Sequence, residues 1–393
     1  MDADKLKALD GVYKDIGKEY GKSIVIDAKK EQHIPRYQIE SPSLRYTMGG
    51  GLPKGRIIEF FGPPSGGKSS ISTIIAGNIQ KFHDAYVVYL DIEHAFDYDY
   101  AKILGINTST EQFQVIEPDW GEQAMNILQK LVESQAVDLI IVDSVAALVP
   151  KTELDGEMGK QHMALQARLM SQAMRKLTAI VKKSGTTLLF INQTRMKIGV
   201  TFGSPVTTTG GEALKFYSSI RQNISRIGYI KDPPENGEVV ASRIRIKCVK
   251  NKTAPPMREI EFDLYYDRGI DITGEYLDFG ITYGFVDKAG TWYSIDDNRL
   301  GQGKKKAIAT LNGSGFKEIL AQLKKDVDSI LFPSYTEEDV SSVDDIEQGN
   351  IDIVGANVDE IIVVENAKVK TGDGVVRKVK KKREVKKVRQ IKK

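Results

Sequence analysis

The stretch IIEFFGPPSGGKSS, from Ile57 to Ser70, joins an apolar run to a glycine-rich loop and then to the start of a helix. Its centre matches the pattern G-x-x-x-x-G-K-[ST], whose backbone N–H groups wrap phosphates at a helix N-terminus. In such a loop the lysine reaches the β and γ phosphates, and the last hydroxyl ligates Mg²⁺. We therefore expect ATP and Mg²⁺ to bind on Gly62, Pro63, Pro64, Ser65, Gly66, Gly67, Lys68, Ser69 and Ser70.

Two acidic residues follow later apolar runs. Asp143 comes directly after the run that ends at Val142, and Glu93 follows the run that ends at Leu90. The carboxyl ends of parallel strands meet at one sheet edge, so Asp143 is a candidate Mg²⁺ ligand and Glu93 could lie beside the water that attacks the γ phosphate. An Asp in this position is equally often a helix cap, and the phosphate loop favours the functional interpretation. Pattern alone favours a solvated loop for Glu93.

From Arg56 onward, short apolar strands alternate with helical stretches, which is typical of an α/β protein with a mostly parallel sheet. The predicted elements are strands at 57–61, 85–90, 137–142 and 187–191, helices at 123–134 and 163–182, and a strand pair at 239–249 and 259–266 that extends the sheet.

Four regions are predicted along the chain. Residues 1–30 hold an amphipathic helix from Leu6 to Tyr20 and a strand from Ile24 to Ile26, which either dock on a neighbouring subunit or pack on their own domain. Residues 31–268 form the core, beginning with a polar connection from Lys29 to Tyr46, and residues 269–330 form a small C-terminal α/β domain with short strands and one helix at 315–325. Residues 331–393 read as a flexible charged tail.

The charge of the tail changes sign along its length. Residues 333–367 hold ten Asp or Glu and no Lys or Arg, whereas residues 368–393 hold thirteen Lys or Arg against two acids, so the total of +3 conceals this asymmetry. Such a segment could fold back on itself, compete with other basic surfaces of the body for a polyanion or bind phosphates itself, or it could simply aid solubility.

The bulk composition favours a cytoplasmic protein. The chain has one cysteine, Cys248, and no cluster of Cys and His with metal-ligand spacing. The N-terminal residues lack the apolar stretch of a signal peptide, and the longest apolar stretch, from Leu139 to Pro150, is shorter than the roughly 20 residues of a membrane span. No membrane association is expected.

Several separate blocks of sequence share one family pattern. They are the phosphate loop, VDSVAAL at 142–148, MSQAMRKL at 170–177, INQTRMKIG at 191–199, TTTGGEALKFY at 207–217, KNK at 250–252 and KAGTWY at 288–293. Together these blocks resemble the RecA family of recombinases. The resemblance covers roughly Leu6 to Lys325 and implies a RecA-type ATPase core with a DNA-dependent ATPase activity. It implies a helical homopolymer that assembles on single-stranded DNA, pairs it with homologous duplex DNA and exchanges strands.

The resemblance also implies roles for individual residues. Glu93 would activate the hydrolytic water, Asp97 and Tyr100 would hold the adenine, and Gln193 would sense the γ phosphate. Lys250 and Lys252 would reach the ATP of the neighbouring subunit, with Phe216 at the same interface. DNA-binding roles fall on Met163, Arg168, Arg175, Arg195, Met196, Lys197, Ile198, Gly210 and Gly211, in or beside loops whose cations suit phosphates and whose apolar side chains can wedge between bases.

The chain departs from the family pattern at Pro64, where members usually carry an acidic residue, and in the basic end of its tail. Two other functions share many of these features. One is an ATP-gated scaffold on single-stranded DNA that does not exchange strands, against which Glu93, Lys250 and Lys252 argue. The other is a hexameric helicase or repair ATPase, and the N-terminal helix directly before the core favours a filament over a ring.

Overall fold

The computed structural model describes residues 3–21, 25, 34–157, 164–196, 206–233 and 236–333. It opens with helix α1 (Ala3–Tyr20), as predicted, and Gly21 follows with a φ of 102°. The apolar side chains of Leu6, Leu9 and Tyr13 remain about half exposed on this helix. Of the predicted strand from Ile24 to Ile26 the structure describes only Val25, and the charged tail beyond residue 333 lies outside the described residues.

The following elements form the central part of the chain. They are β1 (Arg36–Tyr37), α2 (Pro42–Met48), β2 (Leu52–Pro53), β3 (Ile57–Gly62), α3 (Lys68–His83), β4 (Val87–Asp91), α4 (Tyr98–Ile103), β5 (Phe113–Ile116), α5 (Gly121–Ser134), β6 (Leu139–Asp143), α6 (Lys151–Leu154), α7 (Leu165–Ser184), β7 (Thr187–Met196), β8 (Val206–Thr208), α8 (Ala213–Tyr217), β9 (Ile220–Asp232), β10 (Glu238–Asn251), β11 (Glu259–Tyr265) and β12 (Gly269–Ile270).

The main sheet has the strand order β12-β11-β10-β9-β3-β7-β6-β4-β5. Strands β9, β3, β7, β6, β4 and β5 run parallel, and β10 to β12 extend the sheet in antiparallel fashion. The predicted α/β class with a mostly parallel sheet is therefore confirmed, as is the strand pair that extends it. Because successive strand residues face opposite sides, Ile58 and Phe60 pack in one apolar layer with α3, while Ile57 packs in the other with α5 and α7.

Two predicted segments differ from the structure. The polar connection ending at Tyr46 is not merely a linker, because it includes β1 and most of α2 and buries Tyr37, Ile39 and Leu44. Ser41 caps α2 by accepting a hydrogen bond from the backbone N–H of Leu44 (3.1 Å), so Ser41-Pro42 was a helix start that the polar composition concealed. Strand β7 also continues five residues past the predicted end at residue 191, because its end pairs with β8 as a hairpin.

The C-terminal part contains α9 (Ile272–Thr282), β13 (Asp287–Ala289), β14 (Trp292–Ile295), β15 (Asn298–Gln302), α10 (Lys304–Leu311) and α11 (Lys317–Leu331). The prediction of one helix at 315–325 is wrong in number, since three helices pack around a separate apolar cluster that includes Leu277, Leu311 and Val327. Arg45 ties this cluster to the core through an ion pair with Asp328 (2.7 Å). The domain boundary at residue 268 stays a prediction.

Candidate functional site

The phosphate loop runs from the end of β3 to the start of α3. A Cβ at Gly62 would lie 1.9 Å from the carbonyl oxygen of Ile224, and Gly67 adopts a φ of 89°, so both positions require glycine. The Lys68 ammonium donates hydrogen bonds to the carbonyl oxygens of Pro63 (2.7 Å) and Gly62 (3.3 Å). Burial lowers the pKa of Lys68, and the nearby acids Asp143 and Glu93 oppose this shift. The Lys68 side chain thus lies within the loop, and its ammonium is hydrogen-bonded to uncharged carbonyl oxygens.

Asp143 approaches the loop from the end of β6, two strands away from β3 in the same sheet. Its Oδ2 accepts hydrogen bonds from the hydroxyls of Ser69 and Tyr89, each at 2.6 Å. Burial raises the pKa of Asp143, those two hydrogen bonds oppose the rise, and the carboxylates of Glu93 and Asp91 add to it. A carboxylate and a hydroxyl 2.6 Å apart supply hard oxygen ligands of the kind Mg²⁺ prefers. These two predicted metal ligands fit the ion by donor chemistry and by position beside the phosphate loop.

Glu93 lies at the same sheet edge, just past β4. Its Oε1 accepts a short hydrogen bond from the Ser144 hydroxyl and another from the Gln193 side-chain amide at 3.2 Å. Gln193 is level with Gly62 in the pairing of β3 with β7. Glu93 and Gln193, which were predicted for hydrolysis and nucleotide sensing, are therefore in direct contact beside the phosphate loop.

The predicted adenine-binding pair lies at the other end of the same cleft. Asp97 caps α4, because its Oδ1 accepts from the backbone N–H groups of Asp99 (3.0 Å) and Tyr100 (2.9 Å). Tyr100 is half-buried against the core. One cleft joins these positions to the phosphate loop, and its lining is Ser69, Ser70, Thr73, Tyr89, Asp91, Glu93, Ala95, Phe96, Asp97, Tyr100, Ala101 and Asp143.

Lys250 and Lys252 do not join this cleft within the chain. Lys250 is level with Arg221 on β9, and Arg221 is level with Glu59 on β3, three residues before Gly62. That offset is about 10 Å along the strand. The Lys250 ammonium instead donates to the carbonyl oxygens of Lys215 (2.6 Å) and Phe216 (2.9 Å), and Lys252 donates to that of Phe216 (3.4 Å). The predicted interface residues thus cluster at the end of α8, where the Phe216 side chain is 70% exposed.

The described DNA-binding candidates occupy two neighbouring elements. Arg168 and Arg175, seven residues apart on α7, are both exposed and share one helix face. Arg195 and Met196 lie exposed at the end of β7, where the hairpin with β8 begins. The remaining predicted loop positions, Met163, Lys197 and Ile198, lie outside the described residues.

The two glycines after the hairpin have a packing role that the sequence did not reveal. A Cβ at Gly210 would lie 2.9 Å from Val145, and one at Gly211 would lie 2.9 Å from Ala167 on α7. Both have φ near 78°, at 77° and 78°. They let the hairpin end approach the helix that carries Arg168, and direct DNA contact at these positions stays a prediction.

Two contributors to the cleft were missed. Tyr89 lies within the predicted apolar strand at 85–90 and was given no role of its own, yet its hydroxyl donates a hydrogen bond to Asp143. Ser144 follows Asp143 directly, and its hydroxyl binds Glu93. A polar tip on a buried tyrosine is a usable signal, because a buried phenol normally finds a partner. No sequence pattern indicates the contact between Ser144 and Glu93, which lie 51 positions apart in the chain.

Comparison with known proteins agrees with this geometry. The family model of the RecA N-terminal domain matches residues 7–271, and that of the RecA C-terminal domain matches residues 274–330. Protein RecA of Pseudomonas fluorescens is 45% identical over 360 residues, which cover 90% of this chain and 100% of that protein. Protein RecA of Campylobacter fetus subsp. fetus is 44% identical over 347 residues, or 86% of this chain and 99% of that protein. The chain therefore belongs to the RecA family and is a DNA-dependent ATPase that acts as a homologous recombinase.

Proposed function

We propose that ATP binds in the cleft between the phosphate loop and α4, with Mg²⁺ held by Ser69 and Asp143. The observation that supports this is the hydrogen bond between these two side chains at the mouth of the phosphate loop. Bound Mg²⁺ would neutralise phosphate charge. Lys68 would then exchange its two neutral carbonyl acceptors for phosphate oxygens, because charge-assisted hydrogen bonds are stronger than neutral ones. Asp97 and Tyr100, which line the same cleft, would hold the base.

Glu93 is the general base of this proposal. Its carboxylate is exposed to the cleft and oriented by Ser144 and Gln193, so it can accept a proton from a water beside the γ phosphate. Gln193 also begins the exposed end of β7 that leads to Arg195. A change in its bond to Glu93 would therefore reach the hairpin that carries the DNA-binding candidates.

The basic pair completes a different ATP site, on the neighbouring copy. Lys250 lies about three strand residues, or about 10 Å, from the level of the phosphate loop, and the ammonium groups of Lys250 and Lys252 are turned to the end of α8. Cations in that position can bind a phosphate of the ATP that a neighbouring copy holds. The exposed Phe216 beside them provides an apolar contact for the same interface.

The partners that follow are single-stranded DNA, duplex DNA and further copies of the chain in a helical filament. Arg168, Arg175 and Arg195 offer cations for phosphates, and the exposed Met196 offers an apolar contact for bases. We place this activity in the cytoplasm. Among the described residues, no helix combines the length and apolar character that crossing a membrane requires.

Electron microscopy with single-stranded DNA and a non-hydrolysable ATP analogue tests the proposal. An extended helical filament is expected for the wild-type chain and none for Lys68→Ala, which lacks the phosphate contact. Closed rings, or filaments that form equally well without nucleotide, would contradict the shared site.

A further inference from the structure

A buried carboxylate in the central strand has no part in the mechanism above. Glu59 lies on β3 with none of its side chain exposed. Its Oε2 accepts from the Arg221 guanidinium on β9 (2.5 Å), and its Oε1 accepts from the Asn192 side-chain amide on β7 (2.9 Å). The side chain therefore bridges the two strands that flank the phosphate-loop strand.

Asn192 continues this network toward the DNA-binding hairpin. Its side-chain N–H groups donate to Glu59 and to the carbonyl oxygen of Thr209 (3.1 Å). Its side-chain oxygen accepts from the Thr209 hydroxyl and from the backbone N–H of Gln193 (2.9 Å). One amide thus fixes both the backbone at Gln193 and the segment that leaves the hairpin at Thr209.

Arg221 continues the network in the opposite direction. Its guanidinium carbon lies 4.5 Å from the centre of the Phe61 ring, next to Gly62 of the phosphate loop. In the pairing of β9 with β10, Arg221 is level with Lys250. A path of contacts therefore runs from Arg221 through Glu59 and Asn192 to the backbone of Gln193, whose side-chain amide binds Glu93.

Stability alone is a weak explanation for this arrangement. Burying a charged pair carries a large desolvation cost, and apolar replacements of such pairs are often neutral or stabilising. What an ion pair with one further hydrogen bond supplies is fixed geometry between β7, β3 and β9. Both oxygens of Glu59 are used, and each accepts a hydrogen bond from a different neighbouring strand.

We propose that Glu59 is a positioning residue that couples the hydrolytic pair of Glu93 and Gln193 to the DNA-binding hairpin and to the basic pair of Lys250 and Lys252. This inference rests on the proposed function, because it assigns Glu59 to the control of that same site. Glu59 touches neither the cleft lining nor the phosphate loop glycines, so its effect passes through Asn192 and Arg221.

Glu59→Gln tests the coupling with little change of shape. The new amide turns a donor toward either Arg221 or Asn192, and one of these donors loses its acceptor. Because misplacing a catalytic group by about 1 Å can cost about a hundredfold in rate, we expect the DNA-stimulated kcat to fall about ten- to a hundredfold. The KM for ATP should stay within about threefold, since no nucleotide-contacting group is removed.

The matched control is Asp328→Asn, which breaks the partly buried ion pair with Arg45 far along the chain from the site. It should lower thermal stability without changing DNA stimulation. The double variant Glu59→Gln/Arg221→Gln removes both charges, so it should recover stability but not the DNA-stimulated rate. If Glu59→Gln does not fold, the double variant is compared directly with wild type.

Three outcomes decide the question. A loss of DNA-stimulated kcat in Glu59→Gln and in the double variant, but not in Asp328→Asn, supports the coupling. Equal rates in Glu59→Gln and Asp328→Asn, or a double variant with the wild-type rate, overturns it. A wild-type chain without any DNA-stimulated hydrolysis would instead overturn the proposed function.

Discussion

The two ends of the central strands hold their functional groups in different ways. At the carboxyl ends, Asp143 binds Ser69 and Tyr89, and Glu93 binds Ser144 and Gln193, so the acids are already oriented by side chains of the same chain. Lys250 and Lys252 lie toward the amino ends of these strands. Among the described residues, their ammonium groups donate hydrogen bonds only to backbone carbonyl oxygens at the end of α8.

This difference bears on how the enzyme can be controlled. Preorganised groups cost little reorganisation at the moment of reaction, so the hydrolytic half is ready within one copy. Cations that rest on neutral carbonyls exchange them readily for phosphate oxygens, which bind more strongly. Under the proposed function, a free copy holds one complete half-site and one half-site that awaits a neighbour, and assembly on DNA would join them.

The largest expected effects fall on the preorganised end. Lys68→Ala should lose nucleotide binding, because the Lys68 ammonium is the cation that lies within the phosphate loop.

Glu93→Gln should still bind a fluorescent ATP analogue and assemble on DNA, yet hydrolyse ATP at least about a hundredfold more slowly, the usual scale for losing a general base. Glu117→Gln, which breaks the exposed pair with His94, is the matched control and should keep the wild-type rate. Near-normal turnover in Glu93→Gln would remove that residue from the mechanism.

A second set of variants tests the incomplete end. Lys250→Ala/Lys252→Ala should lose DNA-stimulated hydrolysis while circular dichroism shows a folded chain. Mixing this variant with Lys68→Ala should restore part of the activity, because a mixed interface takes its phosphate loop from one chain and its lysines from the other. Lys247→Ala, on the same strand but paired with Glu259, is the control. Full DNA-dependent activity in the double lysine variant would show that the site is not shared.

The preorganised end was the more predictable of the two. The phosphate loop, Asp143 and Glu93 each follow a strand directly, so their common sheet edge follows from strand order alone. The resting partners of Lys250 depend on the register of three strands and on a five-residue helix, which no local pattern encodes. Helix α9 was missed for a related reason. Its two glycines and four β-branched residues favour other structures, and packing against Val286 and Leu323 outweighs that preference.

A smaller effect concerns the charge on Lys250. Burial, followed by the charges of Lys252 and Arg221, lowers the pKa of this lysine to about 8. We expect kcat/KM for DNA-dependent hydrolysis to fall above about pH 8, and Lys250→Arg to move that limb upward by about 1 pH unit or more, because arginine stays charged to about pH 12. Lys252→Arg is the control and should leave the midpoint in place.

Unfolding would not explain such a loss of activity. A lysine whose pKa is lowered in the folded state destabilises the fold while it is protonated, and that penalty disappears as the pH rises from about 8 toward its ordinary value of 10.5. This group therefore makes the chain more stable over the range in which the activity falls. An alkaline midpoint that is the same in wild type and Lys250→Arg would exclude Lys250 as its origin.

The smallest expected effect concerns Glu275, which should change the stability of the fold without changing activity at either end of the strands. Glu275 on α9 is buried, its Oε1 accepts from the Ser41 hydroxyl (3.1 Å), and its Oε2 has no partner among the described residues. Burial raises the pKa of Glu275 from 4.5 to about 7. The folded state then holds a proton that the unfolded state releases, so this stabilising contribution is complete below about pH 4.5 and is lost as the pH rises through 7.

Glu275→Gln keeps the side chain neutral at every pH. At pH 8 it should therefore raise the free energy of unfolding by about 1–3 kcal/mol and the Tm by a few degrees, with a smaller gain at pH 5. Hydrolysis should not change, because Glu275 contacts neither the cleft nor the basic pair. Glu111→Gln, at an exposed loop position, serves as the control for removing one negative charge. Thermal melts of wild type and Glu275→Gln at the two pH values test this prediction. An equal shift of the Tm at both pH values would show that Glu275 does not titrate between them.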